Sequence, residues 1–206
     1  MKTPTQIKFD QIIKNGFHDI LKPLGFKKKS YNFYLKNLDL GQIINIQKSS
    51  FYSKDQISFT INTGIFVPEY WIGLFYNIGK EIPIFPTEPE CLIRQRIGKL
   101  RNQNDTWYEV DETTDEKELI IEMKINLENY ILPYFEQTKT KENFLEILGK
   151  NKLPLNPLGK LVLYGELKQI SKAKAEYNKL LNESSNIHFK QTVKDYGIKY
   201  GLDNAI

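Results

Sequence analysis

One stretch constrains this chain more than any other: Leu40–Val67, LGQIINIQKSSFYSKDQISFTINTGIFV. Within it Ile57, Phe59 and Ile61 alternate with Ser58, Thr60 and Asn62. A period of two marks a strand with one buried face, because successive side chains leave opposite sides of a sheet. Upstream, Ile44 and Ile46 alternate in the same way with Asn45 and Gln47. The link Ser49–Asp55 holds Ser49, Ser50, Ser53 and Asp55, whose short side chains bond to nearby backbone and favour turns. The stretch therefore predicts a β-hairpin of fixed register, since a one-residue slip would bury Ser58, Thr60 and Asn62. Its outer face is unusual. It carries amides and hydroxyls (Asn45, Gln47, Ser58, Thr60, Asn62) instead of Lys and Glu. Neutral polar groups cost less to desolvate than charges, so such a face suits being covered by a partner or by the protein's own loops.

The flanking segments read as cover for this hairpin. Thr3–Leu21 has Ile7, Ile12, Ile13, Phe17, Ile20 and Leu21 at helical spacing, with Pro4 in the first turn, where its missing N–H is harmless. Phe26–Leu35 reads as a first strand, which with the hairpin gives a three-stranded meander. Pro68 ends the third strand. Glu69–Asn77 reads as a short aromatic helix, and Ile78–Pro89, with three prolines, as an irregular loop. Cys91–Arg101 alternates again and reads as a fourth strand; Thr106–Val110 reads as a fifth. Thr113 or Thr114 is expected to cap a helix running to about Phe135, with acids in its first turn and Pro133 kinking or ending it. Thr140–Leu148, Leu158–Leu181 and Asn186–Tyr200 complete the helices. The last two resemble a helical hairpin of tetratricopeptide type, without a repeat array.

The expected architecture is α+β: an antiparallel sheet of about five strands, helices packed on one face, and an α-helical C-terminal appendage. The division is expected as residues 1–150 and 151–206. At 40% hydrophobic and 13% aromatic, the chain has ample material for a core, which excludes global disorder. No run approaches the ~18 apolar residues of a membrane span. The single cysteine, Cys91, excludes an internal disulfide, and Met1–Asp10 is polar, so the expected compartment is the cytoplasm. Charge falls in blocks. Residues 1–101 carry 15 Lys/Arg against 8 Asp/Glu, residues 102–138 carry 2 against 10, and residues 139–206 carry 12 against 7. An acidic segment between basic ones points to internal pairing rather than a nucleic-acid footprint.

Catalytic signatures are missing from the sequence. His18 and His188 are far apart, no His/Cys cluster suggests zinc, and there is no phosphate loop, nucleophile elbow or dinucleotide fingerprint. Glu122-Met123-Lys124 lies in a helical pattern, where residues two apart do not face together. Arg94 and Arg96 are two apart on a predicted strand and so share a face. They form either a clamp for a carboxylate or phosphate, or partners for the acidic block at Asp105, Glu109 and Asp111. Gly64 marks a bulge or a close backbone approach. Tyr70, Trp71, Phe75 and Tyr76 serve as core or as the wall of a partner surface.

An ordered set of segments carries a family resemblance. It comprises Leu24-Gly25-Phe26-Lys27-Lys28, Ile46-Gln47-Lys48-Ser49, Phe59-Thr60-Ile61-Asn62-Thr63-Gly64, Arg94-Gln95-Arg96-Ile97-Gly98 and Asp105-Thr106-Trp107-Tyr108. Over roughly residues 5–148 the chain resembles the bacterial domain-of-unknown-function family four-three-zero-four, with Tyr108 where a second Trp is expected. The resemblance implies an intracellular bacterial α+β domain and no chemistry.

The expected function is a non-catalytic protein-binding module, with an immunity-type protein that neutralises a toxin as one version. Its candidate binding residues are Gln47, Asn62, Arg94, Arg96 and Trp107. No cofactor, metal or membrane contact is expected, and the expected partner is another protein. The alternatives are an enzyme or ligand-binding domain taking an anionic small molecule through Arg94 and Arg96, and a nucleic-acid-binding protein using the basic N-terminal block.

Overall fold

In the computed structural model, which describes residues 2–50, 53–150, 153 and 155–203, the hairpin is the middle of an antiparallel sheet. Among the described residues six strands form it: β1 (Lys27–Lys29), β2 (Asn32–Asn37), β3 (Leu40–Lys48), β4 (Ile57–Phe66), β5 (Ile93–Arg96) and β6 (Tyr108–Val110). The order is β1-β2-β3-β4-β5, and β6 also pairs with β4. The register puts Asn45 opposite Asn62, Gln47 opposite Thr60 and Ile46 opposite Ile61, so alternation on the two strands is in phase. Ser49 N donates to Ser58 O, and Ser53 Oγ accepts from the Asp55 and Gln56 amides; residues 51 and 52 of the expected link lie outside the described residues.

Helices cover one face. Thr3 caps the first helix in a reciprocal box with Gln6, and the helix runs from Pro4–Ile13 through a π-turn, Lys14–His18, to Leu21. Its Phe9 meets Phe59 edge-on at 5.2 Å, and Phe17 stacks on Phe33. The long acidic helix runs from Glu116–Asn126 through a second π-turn, Leu127–Ile131, to Leu132–Gln137. Its buried Met123, Leu127, Ile131 and Phe135 complete the core. Gln42 Nε2 donates to the Phe135 carbonyl (2.8 Å), tying the end of that helix to the sheet. The fold is thus α+β, with helices on one face.

Several local expectations are corrected. Phe26–Leu35 is not one strand. Ser30, at φ 53°, makes a turn that folds β1 back on β2, so the meander has four strands. The alternation in Cys91–Arg101 stops at Arg96, and Ile97–Leu100 is a helical turn. Here the Gly98 Cα packs directly against the Asn104 carbonyl, and Gln103 N donates to Gly98 O, so the chain reverses toward β6. Asp115, not Thr113 or Thr114, caps the long helix, because both threonines are bonded to the Asp111 carboxylate. Pro133 does not end that helix; it lies just past the π-turn, within Leu132–Gln137. Leu158–Leu181 is two helices, Gly159–Glu166 and Ile170–Glu183, separated where Lys168 takes φ 55°.

The sheet and its covering helices belong to one compact unit, Met1–Phe66 with Phe85–Leu153. The other unit takes Val67–Ile84 with Pro154–Ile206. Inside that second unit Tyr70 and Trp71 are core. Phe75 stacks on Tyr196 at 4.3 Å, and Lys199 Nζ donates to the Gly73 carbonyl and pairs with Glu166. No helix is long and apolar enough to cross a membrane among the described residues.

Candidate functional site

Parity places the site. On β3 and β4 the residues facing the helices are Ile44, Ile46, Phe59 and Ile61, so Asn45, Gln47, Thr60, Asn62 and Gly64 face the other way. β5 joins β4 with Arg96 opposite Asn62 and Arg94 opposite Gly64. Directly paired residues share a face. Both arginines therefore stand on the hairpin's polar side, a point the sequence leaves open.

Part of this face is closed by the protein itself. The segment before β5 crosses over Gly64, where an added Cβ would lie 2.9 Å from Cys91 Cβ and 2.5 Å from its Sγ. The expected close approach at Gly64 is thus a thiol packed on bare backbone. Burial pushes the Cys91 thiol well up, which makes it an inert packing group. The rest of the face is polar: Gln47 is exposed and Asn32 and Asn45 are half-buried, while Thr60 and Asn62 are buried.

Its side chains form one hydrogen-bonded ladder across four strands. Asn45 Nδ2 donates to Asn32 Oδ1 (2.8 Å). Asn62 Nδ2 donates to Asn45 Oδ1 (3.1 Å) and Gln47 Oε1 (2.8 Å), while Asn62 Oδ1 accepts from Arg96 Nε (3.2 Å). Arg96 Nη1 pairs with Asp105, whose same oxygen accepts from Trp107 Nε1 (3.1 Å). The Arg96 guanidinium lies 5.5 Å from the Trp107 ring centroid, in cation–π range. Arg94 makes a bidentate pair with Glu88, Nε to Oε1 at 2.7 Å and Nη2 to Oε2 at 2.9 Å. Glu88 is only 6% exposed, whereas 54% of the Arg94 side chain is open. Glu88's hydrogen bonds raise the Arg94 pKa above its ordinary value, so it stays charged.

All five sequence-derived residues meet here. Gln47, Asn62, Arg94 and Arg96, with Glu88 and Gln95, line a cleft of about 190 Å³. Trp107 and Asp105 belong to a broader, shallow concavity formed with the loop around Asn102–Asn104. Arg96 finds its partner in the acidic block, as the pairing alternative held; Arg94 does not, turning to Glu88 instead. Glu88 lies in the Pro-rich segment, and no spacing rule links it to a strand six residues on. The Thr87–Glu90 capping box that shapes its 3₁₀ turn was the one legible signal. A second cluster also escaped sequence reading. Arg101 pairs with Glu122 and donates to Asn126 Oδ1 (3.1 Å), and Asn126 Nδ2 donates to Tyr108 OH (2.8 Å). It joins β6 to the long helix, and burial raises the Tyr108 pKa.

The family model described as Domain of unknown function (DUF4304) matches residues 17–137, well over half of the chain. The chain belongs to this family. The DUF4304 segment contains the whole ladder from Asn32 to Trp107, both carboxylate partners and the Arg101 cluster; the C-terminal helices lie outside it. No curated protein and no solved structure matches the chain.

Proposed function

We propose that this DUF4304 protein is a non-catalytic binding module that docks another protein on its polar sheet face, where Gln47, Arg94, Arg96 and Trp107 reach solvent. The observation that carries this reading is the Arg96–Asp105–Trp107 arrangement: a part-exposed Trp and Arg stacked together and tethered to one carboxylate. Trp and Arg dominate the energetics of protein interfaces, most of all when their rotamers are already fixed. Here the fixing comes from a regular sheet, through Asn62. The competing reading, a clamp for a free anion, is less well supported. Glu88 and Asp105 balance the two guanidinium charges, so the cleft has little net field with which to draw an anion from solution. Its volume also falls below the ~300 Å³ at which small-molecule sites begin.

The setting we infer is the bacterial cytoplasm, which suits a lone buried thiol; an immunity protein that neutralises a toxin is one form the module takes. Affinity capture from the native cell tests the reading, using wild type beside Trp107→Ala and Arg96→Ala. A protein held by wild type and released by both variants is the expected result. A partner that both variants retain at undiminished affinity would overturn it.

A further inference from the structure

The polar ladder has a direction, and one residue sets it. Arg96 is donor-only, so the Asn62 atom facing its Nε must be the oxygen. That orientation turns Asn62 Nδ2 toward Asn45 and Gln47, which must both answer with oxygen. The assignment of three amides, ambiguous one at a time, is therefore fixed by the guanidinium at the end of the row. A consequence follows at the cleft. The oxygens of Asn62, Gln47 and Glu88 and Asp105 Oδ2 are engaged inside the protein. Three of the groups left without a protein partner among the described residues are N–H donors, Gln47 Nε2, Arg94 Nη1 and Arg96 Nη2; Asp105 Oδ1, on the rim, is an acceptor without one. Gln47 and Arg94 are exposed, and Arg96 is part-exposed.

Resting on the binding-module reading, we propose that this cleft receives the carboxylate of an acidic side chain, Asp or Glu, presented by the partner protein. Gln47, Arg94 and Arg96 line one small cleft, and each has an N–H group without a protein partner among the described residues, two of them on guanidiniums. A carboxylate has about four lone-pair sites on two oxygens and can accept all three, whereas a single carbonyl oxygen has two. About 190 Å³ is room for a carboxylate and its short stem. Because Glu88 and Asp105 already balance the local charge, recognition is by hydrogen bonding rather than by long-range attraction. A free carboxylate therefore binds this cleft only weakly, at high concentration, and docking supplies it at a high effective concentration.

The test uses acetate as the probe on the full chain. Side-chain ¹⁵N resonances of Gln47 Nε2, Arg94 Nε and Arg96 Nε are followed as acetate replaces chloride at constant ionic strength. The expected result is a saturable shift confined to these groups. Gln47→Glu keeps the oxygen that Asn62 needs and exchanges the outward N–H for an oxygen. It is expected to abolish the response while the backbone spectrum stays native. Resonances that move no more with acetate than with chloride, or a response that survives Gln47→Glu, overturn the proposal. The capture assay separates the two ideas. If the partner is lost with Trp107→Ala and Arg96→Ala but binds Gln47→Glu as tightly as wild type, the module stands and the carboxylate site falls. On the proposal Gln47→Glu weakens that complex on the order of tenfold or more.

Discussion

Replacing Gly64 by alanine probes how the site's closed end is built. The new methyl would stand 2.9 Å from Cys91 Cβ. Carbon atoms pack at ~3.5–4.0 Å, so one backbone must move by roughly 0.6–1 Å. The thiol's Sγ, 2.5 Å from the same point, can leave by rotating χ1; the Cys91 Cβ cannot. Overpacking of this kind costs about 1–3 kcal/mol. Loss of glycine's freedom in the unfolded chain returns about 0.5–1 kcal/mol. The expected net loss is about 1–2 kcal/mol, or a fall in Tm of roughly 2–8 °C for a chain of this length. Urea unfolding, read as a change in midpoint at constant m, measures it. The clash also makes a prediction about rescue. Cys91→Ala keeps the Cβ and should relieve little of the loss, whereas Cys91→Gly removes it and should show a coupling of about 1–2 kcal/mol with Gly64→Ala in a double-mutant cycle. An unchanged stability for Gly64→Ala, or equal rescue by Cys91→Ala and Cys91→Gly, would refute the reasoning.

Three other perturbations follow from the same geometry. Glu88→Gln leaves Arg94 without a carboxylate and a buried amide in its place, and should lower stability by about 1–3 kcal/mol in the same urea assay. Arg101→Leu strips the partner from Glu122 and from Oδ1 of the fully buried Asn126, and should cost about 2–4 kcal/mol; hydrogen exchange should rise first in β6 and the adjoining turn of the long helix. Thr113, and after it Thr114, hold the Asp111 carboxyl below its ordinary value of 3.8 through hydrogen bonds to the ionised form. Since the folded pKa is the lower one, this contribution is complete above about 3.8 and disappears as pH falls through the folded value. Asp111→Asn should therefore flatten the acid limb of the stability–pH curve below pH 4 and leave its neutral-to-alkaline shape unchanged.

Period-two patterning made the hairpin legible because the apolar and polar faces of β3 and β4 differ so sharply in chemistry. The same parity placed Gln47 with Asn62's side of the sheet, and Arg94 with Arg96. What it could not supply was the register between β4 and β5, a pairing across some thirty residues that alone brings the two sets together. The misread boundaries share one cause: a local pattern continues in sequence past the point where a tertiary contact or a left-handed residue stops it. Alternation runs on through Gly98, but the Asn104 carbonyl occupies the space a strand would need. Helical spacing runs on past Lys168, and apolar residues continue across Ser30, although both residues have positive φ. Capping at Asp115 was hidden for a related reason. The two threonines that look like caps are claimed by Asp111, four residues upstream of the position that does the capping.

The two strands that share one edge of β4 divide the labour of the site in a way that bears on its versatility. β5 pairs with Asn62–Ile65 and carries the arginines; β6 pairs with Ile57–Phe59; the helical turn Ile97–Leu100 and the exposed loop after it bridge the gap between them. Because both strands are registered independently on β4, the side chains of residues 102–104, exposed in the loop, can be exchanged without shifting either pairing or removing the Asp105 carboxylate. The floor of the site is thereby a fixed part and its rim an interchangeable one. A single scaffold of this construction can be re-aimed at a new partner by exchange of these side chains alone, as a tool holder accepts different bits.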